Sequence, residues 1–108
     1  MKRGDIVAVA APGDYGKPRP AVIVQTDLLN QTHGSVVVCL VTSALIEAPL
    51  LRLAVEPSAR NGLLRRSQVM VDKIVGVRRD KIGPRLGVMD DETMLSLSRA
   101  LAFVMGLG

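Results

Sequence analysis

The feature that most constrains this chain is a succession of short apolar runs, each stopped before it could grow into a long helix. Runs of strand length occupy 6–10, 21–25, 35–41, 50–55, 68–71 and 73–77. They are rich in Val and Ile, whose branched side chains suit a pleated surface. Pro12-Gly13 stops the first run, and Pro20 opens the second, where a missing N–H does least harm. The third run is apolar at successive positions and is expected to be buried on both faces. The last two runs can form one bent strand, with a bulge expected at Gly76. Residues 27–34 read as a polar turn and 56–64 as a loop around Pro57 and Asn61-Gly62. Residues 80–87 read as an irregular segment around Gly83-Pro84.

Near the end the period changes. Asp90 or Asp91 is placed to cap a helix with Glu92 in its first turn. Met94, Leu97, Leu101, Val104 and Met105 then recur at helical spacing, and Gly106 is a stop. Short strands joined by turns, followed by one amphipathic helix, predict a mainly β fold: a small barrel or sandwich in one domain, 1–108. Residues 1–5 lead straight into a strand pattern, so no signal peptide is expected. No apolar stretch approaches the ~18 residues of a membrane span, so a cytoplasmic protein without a membrane partner is expected.

The chemistry on offer is narrow. Zinc sites draw on Cys and His, and there is one of each, Cys39 and His33. Cys39 lies inside an apolar run and reads as a small buried hydrophobe. His33 lies in a turn and reads as a solvated loop residue, although its ordinary pKa would suit a general base. Residues 13–17 hold two glycines and a lysine without the spacing of a phosphate-binding loop. Neither a metal nor a cofactor is expected.

Arginine remains. The net charge is +4. Between 65 and 85, Arg65, Arg66, Lys73, Arg78, Arg79, Lys81 and Arg85 face only Asp72 and Asp80. Such an excess suits a polyanion partner. Arg19 stands between Pro18 and Pro20, which hold it in extended conformations. A guanidinium held this way loses less entropy on gripping a phosphate, and its fork can stabilise charge developing on phosphoryl oxygens. An arginine at a strand start paired with a surface carboxylate is the competing reading.

Several segments, in order, resemble the MazF/PemK-type toxins. Arg3-Gly4-Asp5-Ile6-Val7 is similar to that family's opening, and 16–25, with Arg19-Pro20 running into an apolar strand, to its most recognisable stretch. Residues 26–30 are similar to the next segment of that family. Leu40-Val41-Thr42-Ser43 resembles the strand end that carries a catalytic threonine, and Arg66-Ser67-Gln68-Val69 with Asp72-Lys73-Ile74 the strands near its RNA groove. The resemblance implies an SH3-like β-barrel with a C-terminal α-helix, a homodimer, and a cognate antitoxin. It implies sequence-specific cutting of single-stranded RNA (mRNA) without a metal, by 2′-OH attack, leaving a 2′,3′-cyclic phosphate and a 5′-OH. By position, Arg19 and Thr42 are the catalytic pair. Tyr15, Lys17, Gln25, Ser43, Ser67, Gln68, Asp72 and Lys73 are the expected RNA contacts. Relatives often carry aromatics in or after the first strand, and here only Tyr15 could offer a ring for base stacking. Two other functions are weighed. One is a CcdB-like toxin that poisons gyrase through its C-terminal helix; the other is an inactive RNA-binding relative.

Overall fold

A computed structural model describes residues 1–10 and 17–108. The expected loop over 11–18 therefore lies, apart from Lys17 and Pro18, outside the described residues, and so does Tyr15.

Six strands form one antiparallel sheet: β1 (Asp5–Val9), β2 (Arg19–Ile23), β3 (Ser35–Thr42), β4 (Arg52–Val55), β5 (Ser67–Arg78) and β6 (Ile82–Val88). Their order across the sheet is β4-β5-β3-β2-β1-β6. A one-turn helix, α1 (Asp27–Asn30), follows β2, and α2 (Asp91–Val104) follows β6. The mainly β fold with one long C-terminal helix is as expected, but the barrel is not closed. The edge strands β4 and β6 do not pair with each other. The loop after β4 leans on β6 instead, where Val88 N–H donates to Arg60 C=O at 2.9 Å. Gly62 makes that approach possible: its φ is +69°, and a Cβ there would stand 2.0 Å from the Leu86 carbonyl oxygen.

The alternating strands divide the core in two. Ile6, Val22, Cys39, Val41 and Val69 pack with Met89, Met94 and Leu97 on the helix side. Val7, Val9, Ala21, Ile23, Val36, Val38 and Leu40 pack together on the other side, with Met70 and Val77. Met1, Val75 and Ile82, each partly buried, pack against that second cluster. β3 supplies both clusters, which is why its run is apolar throughout. Cys39 is fully buried, and desolvation pushes its thiol up to about 11.

Three sequence expectations change. Gly76 sits in regular register opposite Val37. The irregularity falls between the pairs Cys39–Ile74 and Val41–Val69, so β5 carries its extra residues over 70–73. Residues 82–88, expected to be irregular, form β6 as an edge strand along β1, with two register shifts. An edge strand is where Pro84 can be accommodated. In the helix stripe Met94 and Leu97 are buried and Leu101 and Val104 partly so, whereas Met105 is exposed past the end of α2.

Both helix ends have the expected caps. The Asp90 carboxylate accepts from Thr93 N–H at 3.0 Å and from the Thr93 hydroxyl at 2.7 Å. At the far end Leu107 N–H reaches Ala102 C=O and Gly106 N–H reaches Phe103 C=O, a Schellman closure with Gly106 at φ +74°.

Candidate active site

The site lies where three strands end together. The β2–β3 register runs Ile23–Val38, Val22–Cys39, Ala21–Leu40. The pairing runs as far as Ala21–Leu40, and Arg19 and Thr42 are the end residues of these two strands, each two positions beyond it. On its other side Arg19 pairs with Val9, and Thr42 pairs with Gln68 of β5. Arg19, Thr42 and Gln68 thus form a row, and strand alternation turns all three toward the face that carries Ala21, Leu40 and Met70.

Each member has a distinct setting. Arg19 and Thr42 are half-buried. Thr42 Oγ1 accepts from Ala44 N–H at 3.1 Å, which leaves its own O–H proton available to a ligand. The Gln68 amide is engaged by the protein itself. Its Oε1 accepts from Ile46 N–H at 3.2 Å and from Arg52 Nη1 at 3.1 Å, and its Nε2 donates to Ile46 C=O at 2.9 Å. Arg52 Nη1 also donates to Ala44 C=O at 3.3 Å. Gln68 and Arg52 therefore hold the segment that leaves β3 just after Thr42.

The other expected contacts divide. Lys17, Ser43, Asp72 and Lys73 are exposed, Lys17 just before Arg19 and Ser43 just after Thr42. Asp72 and Lys73 project from the irregular stretch of β5. Ser67 is buried, and its hydroxyl donates to Arg65 C=O at 2.9 Å. Gln25 is set apart: it is buried, its Nε2 donates to Asn30 Oδ1 and Ser35 C=O, and its Oε1 accepts from Val37 N–H. Its amide fastens α1 to the end of β2, so it is not placed to meet RNA.

The basic excess over 65–85 does not gather on one surface. Arg66 pairs with Glu56 at 2.8 Å, Arg78 with Asp80 at 2.8 Å, and Arg85 with the buried Asp5 at 3.4 Å. Arg79 clamps the turn after α1, donating to Asn30 C=O and His33 C=O. Arg65 and Lys73 remain exposed.

Beside the same strand ends, and sharing Thr42 with the candidate site, lies a mostly apolar cavity of about 310 Å³, lined by Pro20, Val41, Thr42, Leu63, Leu64 and Leu86 among others. Leu64, 94% exposed, stands at its mouth. Sequence reasoning missed this cavity and the Arg52 bonds. Leu63-Leu64 beside Asn61-Gly62, an apolar pair in an otherwise polar loop, was the available signal for the cavity. No sequence pattern signals the Arg52 contacts.

The whole chain has relatives. It is 41% identical to the probable endoribonuclease MazF of Mycolicibacterium smegmatis, over 99% of this chain and 98% of that one. It is 23% identical to the endoribonuclease EndoA of Bacillus subtilis over 99% of this chain and 96% of that one. Among solved structures, an endoribonuclease in complex with its cognate antitoxin, from a mycobacterial species, superposes with a TM-score of 0.81. That likeness covers 100% of this chain and 95% of the other at 26% identity. Residues 2–105 match the family described as PemK-like, MazF-like toxin of type II toxin-antitoxin system. The chain belongs to that family.

Proposed function

We propose that this chain is a toxin whose activity is metal-independent endoribonuclease cleavage of single-stranded RNA, with Arg19 and Thr42 at the cut. What supports the reading is a guanidinium flanked by two prolines at the start of β2 and a hydroxyl at the end of β3, the strand with which β2 pairs. The ribose 2′-oxygen forms a bond to the adjacent phosphorus and loses its proton. The P–O5′ bond breaks, and the 5′-oxygen takes up a proton. The products are a 2′,3′-cyclic phosphate and a 5′-OH.

The nucleophile belongs to the substrate, so the protein needs neither a nucleophilic side chain nor a metal-bound water. Its task is to meet charge growing on the equatorial phosphoryl oxygens. Arg19 does this with a fork suited to two oxygens. It is not the general base, because a guanidinium does not deprotonate at working pH. Thr42 donates its O–H to a phosphoryl oxygen or orients the 2′-OH. The exposed Lys17, Ser43, Asp72 and Lys73 extend the contact along the RNA, with Arg65 as an added phosphate partner, whereas Ser67, buried and bonded to Arg65 C=O, supports the site from within.

The protein acts in the cytoplasm as a homodimer and is restrained by a cognate antitoxin. Exposed Leu50, Leu51 and Phe103, which line one shallow cavity, give self-association an apolar surface to bury. The test is incubation of the purified protein with a long single-stranded RNA in EDTA, then mapping of the new ends. Discrete cuts bearing 5′-OH ends, lost in Arg19→Ala, are expected. RNA binding without cleavage, or DNA breaks that depend on gyrase, would sink the reading.

A further inference from the structure

We propose that Gln68 and Arg52 are positioning residues that set the hydroxyl of Thr42, and that Gln68 does not itself read RNA. The inference rests on the catalytic reading of Thr42 above.

The segment 43–47 leaves β3 and is exposed throughout, so no core contact fixes it. Leu45 and Ile46 are both about half in water. Its anchors are polar and come from two other strands. Gln68 grips Ile46 at both backbone groups, N–H at 3.2 Å and C=O at 2.9 Å. Arg52 grips Ala44 C=O at 3.3 Å while bracing Gln68 Oε1 at 3.1 Å. Immediately before these two fixed points lies the Ala44 N–H that donates to Thr42 Oγ1 at 3.1 Å.

That bond orients the threonine hydroxyl. With one lone pair of Oγ1 engaged by Ala44, the O–H turns toward the open side of the row. If the segment slips, the Ala44 N–H leaves and the hydroxyl is free to rotate. Gln68 therefore acts on the reaction through three links: its amide, the backbone at 44–46, and Thr42. Because the segment buries little, loosening it is a local event that leaves the rest of the sheet folded.

The decisive measurement is a double-mutant cycle on single-stranded RNA cleavage. Gln68→Ala should lower kcat by roughly 10- to 100-fold, the scale of a small misplacement of a reacting group, with KM unchanged. In a Thr42→Ala background the same change should cost nothing further, because the group it positions is already gone. Gln68→Glu keeps the acceptor for Ile46 N–H and Arg52 and should recover most of the rate. Arg52→Met should mimic Gln68→Ala. A raised KM with unchanged kcat would mark Gln68 as an RNA contact and overturn the proposal. So would an equal loss in both backgrounds. Amide exchange of Ala44 and Ile46, read without RNA, separates this idea from the catalytic reading. Gln68→Ala should speed both amides, and unchanged exchange overturns the proposal whether or not the protein cuts RNA.

Discussion

Gly62 is the residue on which the closure of this open sheet turns, and Gly62→Ala should damage stability far more than its small size suggests. Its φ of +69° is unfavourable for any residue with a Cβ, by ~1–2 kcal/mol. The added Cβ would also stand 2.0 Å from the Leu86 carbonyl oxygen and 2.8 Å from its carbon. Those are backbone atoms of β6, so no rotamer change relieves the overlap. The loop must lift, and the bond from Val88 N–H to Arg60 C=O, 2.9 Å long, goes with it, at ~0.5–1.5 kcal/mol. Together these come to about 1.5–3.5 kcal/mol, which for a domain of this size lowers Tm by roughly 6–25 °C. Gly34→Ala is the internal control. A Cβ there meets nothing within 4 Å and the backbone is not left-handed, so its stability should stay within ~0.5 kcal/mol of wild type. Thermal unfolding by circular dichroism or calorimetry reads both variants. If Gly62→Ala melts within a few degrees of Gly34→Ala, then the loop over 56–64 does not hold β6 in the way described.

Other outcomes rest on the same geometry. Arg19→Lys keeps the charge but loses the fork and should cut RNA ~10²–10³-fold more slowly, as expected when a charge-stabilising donor is lost; a wild-type rate would show that only charge matters. Thr42→Ala should slow cleavage while leaving Tm close to wild type, and cleavage at the wild-type rate would remove Thr42 from the site. The Cys39 thiol, pushed up to about 11 by burial, should resist iodoacetamide at pH 8 in the native protein and react once unfolded; rapid native alkylation would contradict its packing. The Asp90 carboxyl is held below its ordinary value of 3.8, first by the Thr93 hydroxyl and then by Thr93 N–H. A depressed folded pKa stabilises the fold above 3.8, and the contribution is lost as pH falls through 3.8 and below. Asp90→Ala should therefore cost about 1 kcal/mol at neutral pH and give a flatter stability curve in that acid range; parallel wild-type and variant curves would refute the linkage.

The strands of the central sheet were legible because β-branched runs and turn residues mark them locally. The bulge was misplaced because its cause is not local. β5 pairs with β4 over 67–70 and with β3 over both of its halves, and three extra residues must be absorbed where the partners change. Nothing in Met70-Val71-Asp72-Lys73 signals this, whereas Gly76 offered a tempting glycine that the register does not need. β6 was hidden for the opposite reason. Gly83, Pro84 and Gly87 look like breakers, yet an edge strand with a single partner accommodates them, and Gly87 is a second place where loop 56–64 presses on β6: a Cβ there would meet the Arg60 carbonyl oxygen at 2.4 Å.

The polar residues of the motifs pose a harder problem, and the structure sorts them by what their hydrogen-bonding groups are already doing. Arg3, in the opening stretch that resembled the family, donates to Val24 C=O and Ser98 Oγ, while its N–H meets Asp27. That motif joins the N-terminus to β2 and α2, and its chemistry is structural. Gln25 and Gln68 are alike in sequence, each a polar residue at the end of an apolar run, and both amides are engaged by backbone. What separates them is where the captured backbone leads. Gln25 fixes α1, away from the row, whereas Gln68 fixes the segment whose Ala44 N–H orients Thr42. Side chains that bind their own protein can still govern the reaction when the backbone they bind carries the group that acts. On the proposed reading, a motif taken as a string of RNA contacts mixes residues that touch substrate with residues that aim them. Only the hydrogen bonds between strands distant in sequence tell the two apart.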